Sequence, residues 1–214
     1  MAAAISRRMQ NPVIFVCDLQ EKFRNAIWQF DKVINTSTKL LKAAHTLQIP
    51  IYVTTQNRAR LGDTVHELQP YLTSNTPLLK ADEDKTRFSM WLPAIASQFS
   101  PASPAHQKAQ IAIVGIESHI CVTQTALDAL AAGHEVYVIA DGVSSCNREE
   151  VPVALARLAA AGATVTTSES WLYECMGDAG VGEFRDIVKL VKETGGTTKE
   201  ALQGLLGGGE RSKM

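Results

Sequence analysis

Short apolar runs alternate with segments of helical spacing along most of the chain. Pro12-Val-Ile-Phe-Val-Cys17 is unbroken and rich in β-branched residues, the pattern of a strand buried on both faces. Asp31–Gln48 carries apolar residues at 33, 34, 40, 41, 44 and 47, a helical period. Pro50 ends it, and Ile51–Thr54 predicts a second strand, with Thr76–Leu79 as a further candidate. Ile111–Gly115 is the clearest strand after that. A helix over about 121–132, Gly133 and a strand at Glu135–Ala140 follow. The same order repeats as a helix over about 148–161, Gly162 and a strand at Ala163–Val165. Glycine takes the left-handed conformation that ends a helix, so both glycines are read as stops. Thr166-Thr-Ser-Glu169 matches a capping box for a helix through Trp171 to Met176, and Glu183–Glu193 predicts a last helix.

Strands that alternate with helices predict an α/β fold. The expected architecture is a three-layer α/β/α, Rossmann-like domain with a mostly parallel sheet of about six strands. At roughly 100–200 residues per domain, 214 residues make one domain with tails. Residues 1–11 are expected as a flexible N-terminal arm, 12–193 as the folded domain, and 194–214, dominated by Gly, Thr and charge, as a mobile C-terminal tail. Residues 99–110, rich in Ser and Pro, predict a surface loop.

Charge narrows the choice of partner. The formal net charge is −1, from 21 basic and 22 acidic residues, so no electrostatic footprint for nucleic acid or an anionic membrane is expected. No signal peptide or membrane span is readable, which makes the cytoplasm the expected location; secretion without a leader would leave no mark. The four cysteines, 17, 121, 146 and 175, form no C-x-x-C pair and are too scattered for a disulfide scaffold.

Ligands of such folds bind beyond the carboxyl ends of the strands. No G-x-G-x-x-G follows a strand, no P-loop is present, and Gly115-Ile-Glu-Ser118-His lacks the spacing of a nucleophile elbow. These absences count against a nicotinamide dehydrogenase, a Walker nucleotide hydrolase and a serine hydrolase. One strand end is well supplied. Cys121 follows the strand 111–115 and opens a helix, where the helix dipole is expected to favour a thiolate. Asp18, at the end of the first strand, is a candidate base, and Lys80 and Lys85 are candidate cations. First and fourth strands often adjoin at the switch point, which would bring Asp18 and Cys121 face to face.

At these residues the sequence resembles the isochorismatase-like cysteine hydrolases, and among them the isochorismatase domain-containing proteins of eukaryotes. The resemblance spans roughly residues 12–190 and rests on four blocks. They are Val13-Ile-Phe-Val-Cys-Asp18-Leu-Gln20-Glu-Lys-Phe23, Val53-Thr-Thr-Gln56, Lys85-Thr-Arg-Phe88-Ser89-Met90, and Val114-Gly-Ile-Glu-Ser-His-Ile-Cys121-Val122 with Thr125-Ala-Leu-Asp128. The resemblance implies a triad of Asp18, Lys85 and Cys121; Lys85 is preferred to Lys80 because it stands four residues before Ser89. It also implies a cis peptide between Ile116 and Glu117 that aims the amides of Glu117 and Cys121 at an oxyanion. Phe23, Gln56, Phe88, Trp91 and His119 are the expected pocket residues.

The implied reaction is hydrolysis of a small carbonyl compound, of amide type, through a thioester, with no cofactor. Nicotinamidase-type relatives hold a metal with an Asp and paired histidines, whereas between Gln56 and Lys85 this chain has Asp63 and the single His66, so no metal is expected. Bacterial isochorismatases have Gly where Cys121 stands. Hydrolysis of the isochorismate vinyl ether to pyruvate and a dihydroxy-cyclohexadiene carboxylate, with Asp18 as acid, is therefore an alternative. A non-catalytic binding or scaffold protein is the third reading. A homo-oligomer is expected by resemblance.

Overall fold

The computed structural model describes residues 7–99 and 108–207. Its strands are β1 (Pro12–Cys17), β2 (Ile51–Gln56), β3 (Leu79–Lys85), β4 (Gln110–Ile116), β5 (Glu135–Ser144) and β6 (Thr164–Thr166). They form one six-stranded sheet in the order β3-β2-β1-β4-β5-β6, and every pairing is parallel. The helices are α1 (Phe30–Leu47), α2 (Arg58–Leu61), α3 (Pro93–Ala96), α4 (Thr123–Ala131), α5 (Glu150–Ala160), α6 (Ser168–Met176), α7 (Phe184–Glu193) and α8 (Gly195–Ala201). The expected three-layer α/β/α architecture is the one found.

The unbroken apolar run of β1 has a direct cause. Side chains alternate across a strand, and both faces of this sheet are covered. Ile14 and Val16 join a core with residues of α1, α6, α7 and α8. Val13, Phe15 and Cys17 join a second core on the opposite face, with residues of α3, α4 and α5. Cys17 and Cys121 thereby belong to the same layer.

Four expectations about these elements need correction. The third strand is β3, reading Leu-Lys-Ala-Asp-Glu-Asp-Lys, and it follows the apolar stretch 76–79 instead of lying within it. It sits at the sheet edge, pairing with β2 alone. Only Ala81 and Lys85 are buried, every fourth residue, while Lys80, Asp82 and Asp84 face solvent. Charge on an edge strand discourages pairing with another chain, so this strand lacks the usual apolar signature.

The second correction concerns the tail. Residues 195–201 are helix α8, which continues through a π-type turn at Leu202–Leu206. Ala201 is fully buried, and the buried Lys39 of α1 donates to Thr198 Oγ1 at 2.9 Å. These tertiary contacts override the poor helix propensity of Gly and Thr. The third is the N-terminal arm. Met9 is buried in the core, and Arg7 pairs with Glu183 at 2.6 Å, so residues 7–11 pack on the domain. Residues 1–6, 208–214 and the centre of the 99–110 loop lie outside the described residues. The helix cap also shifts by one residue, with the Thr167 hydroxyl accepting from the Ser170 amide.

The switch point lies between β1 and β4, as the strand order requires. There Cys17 is the register partner of Gly115. Gly115 has φ +118°, and a Cβ on it would lie 2.1 Å from the Cys17 carbonyl oxygen. Only glycine meets both conditions. Gly115→Ala should therefore destabilise the fold by more than about 3 kcal/mol in urea unfolding, because the strand ends must part to admit the methyl group. A cost of a few tenths would show that these ends are not held together.

Candidate active site

Asp18 is the first residue past β1. It takes the left-handed conformation, φ 51°, which Asp tolerates better than most side chains. Its amide donates to the Thr54 carbonyl at 3.2 Å, which ties the turn to the end of β2. The carboxyl group is 2% exposed. Oδ1 accepts from the Thr54 hydroxyl at 2.7 Å, and Oδ2 accepts from Lys85 Nζ at 2.7 Å. The Cys17 thiol also points at Oδ2, at 3.7 Å.

Lys85 is the last residue of β3, and its inward register buries the side chain completely. Besides Asp18, Nζ donates to Gln56 Oε1 at 2.7 Å, the Phe88 carbonyl at 2.9 Å and the Arg87 carbonyl at 3.1 Å. Burial works against its charge, but the negative groups it faces, Cys17, Asp18 and Cys121 when ionised, outweigh burial and raise its pKa above the usual lysine value. Burial in turn pushes the Cys17 thiol well above its ordinary value.

Cys121 lies within a π-type turn, Ser118–Val122, that runs into α4. It is not the opening residue of the helix, as expected from the sequence. Its carbonyl accepts from Thr125 Oγ1 at 2.6 Å, and that oxygen accepts from the Met90 amide at 2.9 Å. The segment after Lys85 is thus tied to the turn that carries Cys121. The peptide between Ile116 and Glu117 is cis.

Asp18, Phe23, Gln56, Phe88, Ile116, Glu117, Ile120 and Cys121 line one cavity of about 110 Å³. Phe88 stands at its rim, 50% exposed. Asp18 and Cys121 face this space together, with no direct hydrogen bond between them; the Cys17 thiol points at Asp18 from the core layer it shares with Cys121. Lys85 bonds to Asp18 and not to Cys121.

Two expected pocket residues lie elsewhere. Trp91 turns into the core, with ring centroids 5.5 Å from Phe99 and 5.1 Å from His134. His119 Nδ1 meets Ser145 Oγ at 2.9 Å, and neither residue lines the cavity. The Glu117 carboxylate is held away from Cys121, accepting from the Cys146 amide at 2.8 Å. Ile116 and Ile120 line the cavity and were not singled out by the sequence. Thr54 was quoted within its block, but its bond to Asp18 depends on register. Gln20 is another supporting residue. It is fully buried, accepts from the Gln56 amide at 2.7 Å and donates to the Gly62 carbonyl at 2.6 Å.

For a metal, Glu21, His66 and Glu67 offer ligand atoms within 4.8 Å of one another. Arg24 already binds both carboxylates there, Glu21 at 2.8 Å and Glu67 at 2.9 Å. Asp63 is not in that group and lies 3.7 Å from Arg58.

A family model described as Isochorismatase domain matches residues 12–170. A secreted isochorismatase effector of Phytophthora sojae is 40% identical over 181 residues, covering 85% of this chain and 84% of that protein. Isochorismatase domain-containing protein 2 of Xenopus laevis is 35% identical over 188 residues, covering 86% and 85%. Among solved structures, one described as the MAR1 ribonuclease of Caenorhabditis elegans superposes with a TM-score of 0.78 at 38% identity, over 88% of this chain and 93% of that one.

The ion pair makes a prediction with a defined sign. Lys85 has a raised pKa in the folded state, so the pair contributes fully below the ordinary lysine value of 10.5 and is lost as pH rises through the higher folded value. Lys85→Met leaves a buried carboxylate unpaired and should cost about 3–5 kcal/mol at neutral pH. In urea unfolding the gap to wild type should narrow as pH rises above the ordinary lysine range. A gap that is unchanged there would refute the assignment.

Proposed function

The chain belongs to the isochorismatase family, whose members are generally hydrolases, and from that premise we propose that it hydrolyses a small, uncharged carbonyl compound of amide type. The observation that carries the reading is the opening of Asp18 and Cys121 onto one small cavity whose other walls are largely Phe23, Phe88, Ile116 and Ile120.

In this proposal Asp18 is the general base for the Cys121 thiol. The transfer takes place in the substrate complex or through one water, since apo geometry leaves the two groups without a direct bond. Lys85 holds Asp18 in place through their hydrogen bond, and its positive charge offsets the thiolate as it forms. The thiolate attacks the amide carbon. The amides of Glu117 and Cys121 receive the developing oxyanion. Asp18 then passes its proton to the leaving nitrogen, the C–N bond breaks, and a thioester to Cys121 remains. Water, deprotonated by Asp18, releases the acid and restores the thiol. The residues require no cofactor for any of these steps.

The second reading, hydrolysis of the isochorismate vinyl ether with Asp18 as acid, is favoured by the Phytophthora sojae relative's name. Against it stands the cavity. Isochorismate carries two carboxylates, and no cationic side chain is among the lining residues. The same lining and the net charge of −1 speak against a nucleic-acid substrate. A pure scaffold would have no use for the buried Asp18–Lys85 pair beneath a thiol.

The chain is further proposed to act in the cytoplasm and as a homo-oligomer. Four free cysteines suit a reducing compartment. Among the described residues no helix is long and apolar enough to cross a membrane. The exposed Val153 and Leu206 offer apolar surface to a second copy. Light scattering on the eluting protein should give a mass above that of one chain, and a monomer at micromolar concentration would reject self-association.

The decisive assay gives isochorismate, and separately a panel of small amides, to wild type, Asp18→Ala, Lys85→Ala and Cys121→Ala. Amide hydrolysis should fall by at least about 10³-fold in Asp18→Ala and Cys121→Ala. Lys85→Ala should lose activity together with stability. Pyruvate release that survives Cys121→Ala but not Asp18→Ala would replace the amide reading with the vinyl-ether one. Four equally inert proteins would favour a scaffold.

A further inference from the structure

The cavity has room for little beyond a reacting group. At about 30 Å³ for each water-sized group, its 110 Å³ holds about four non-hydrogen atoms. The carbon, oxygen and nitrogen of a carboxamide and one further carbon fill it. Everything else in a larger ligand lies at the mouth, and Phe88 is the apolar residue it meets there. Val153, Tyr173 and Leu206 are the other exposed large hydrophobic residues among those described, and none of them lines the cavity.

The segment beneath the ring is anchored. The Thr86 carbonyl accepts from Gln56 Nε2 at 2.9 Å, the carbonyls of Arg87 and Phe88 accept from Lys85, and the Met90 amide donates to Thr125 Oγ1. Ser89 and Met90 are buried. With its carbonyl turned inward to Lys85, Phe88 owes its exposure chiefly to the ring. A ring presented on anchored backbone costs little ordering entropy when a ligand packs on it. The charged neighbours of the wall residues have partners of their own. Arg87 pairs with Asp128 at 3.8 Å, Lys22 Nζ donates to the Arg60 carbonyl, and Glu117 accepts from the Cys146 amide. What the mouth offers a ligand is therefore apolar contact.

We propose that Phe88 is a specificity-determining residue whose ring forms an outer subsite for a hydrocarbon group, so that the favoured ligand is the primary amide of a hydrophobic carboxylic acid. The carboxamide sits in the cavity and the acyl chain lies on Phe88. A primary amide places the smallest leaving nitrogen inside, released as ammonia on cleavage, and sends the chain outward. The proposal rests on the amide reading above and narrows it from any small amide to amides with an apolar tail. Covering the ring should raise affinity about tenfold.

The test reads binding apart from hydrolysis. The full chain is labelled with iodoacetamide at neutral pH in the presence of acetamide, hexanamide or succinamate, and peptide mass spectrometry follows Cys121. Cys146, exposed and absent from the cavity wall, is the internal reference. Hexanamide should halve Cys121 labelling at a concentration about tenfold lower than acetamide does, with Cys146 unaffected. Succinamate, whose tail ends in a carboxylate, should protect no better than acetamide. In Phe88→Ala the advantage of hexanamide over acetamide should shrink to about twofold or less, while Phe88→Leu keeps most of it. Ammonia release from the same amides is measured separately. Selective protection by hexanamide without ammonia from any amide supports the subsite and rejects the hydrolysis. Ammonia release with equal protection by hexanamide and acetamide overturns the subsite and leaves the hydrolysis standing. The proposal is also overturned if succinamate protects best, if no amide protects, or if folded Phe88→Ala keeps the full advantage. Should circular dichroism show Phe88→Ala unfolded, Phe88→Gln takes its place in the same comparison.

Discussion

A carboxylate and an ammonium buried together at the carboxyl edge of the sheet set the terms for everything around them. Removing either charge from water costs several kcal/mol, so each must be met by the other and by further hydrogen bonds. Thr54, Gln56 and the carbonyls of Arg87 and Phe88 supply those bonds. They come from β2 and from the loop after β3, and so the requirement to satisfy one pair ties together the ends of β1, β2 and β3 and the loop beyond. The cavity is the space left above this network. Its shape is a consequence of electrostatic satisfaction below it as much as of the apolar side chains that wall it.

Legibility in the sequence followed burial. The strands β1, β4 and β5 are covered on both faces, so their apolar runs announced them without help from the rest of the chain. The edge strand β3 is covered less and is charged for a reason that belongs to the surface, so no periodicity of apolar residues could mark it. Helix α8 was hidden for a different reason. Its composition disfavours helix, and it forms because Lys39 and the neighbouring core hold it, which a local reading cannot see.

The site divides in the same way. Asp18 and Cys121 stood at strand ends, where the fold class says chemistry collects, and the family blocks singled out Lys85. Phe23, Gln56 and Phe88 do line the cavity. Trp91 sits close in sequence to Phe88 and Ser89, yet it faces the aromatic cluster of Phe15 and Phe99. Residue type is equally compatible with core and pocket for an aromatic side chain, and only orientation separates them. Cys17 is fully buried in the core layer that also holds Cys121, and that depends on the register of β1 with β4, which the residue order does not state.

The ammonium of Lys85 has three hydrogens and faces four oxygen acceptors within 3.1 Å. It is an oversubscribed donor, so one acceptor is always short and the weakest yields. The carboxyl group of Asp18 and the loop that carries the rim residue Phe88 are therefore held by one nitrogen, and a displacement of either is transmitted to the other.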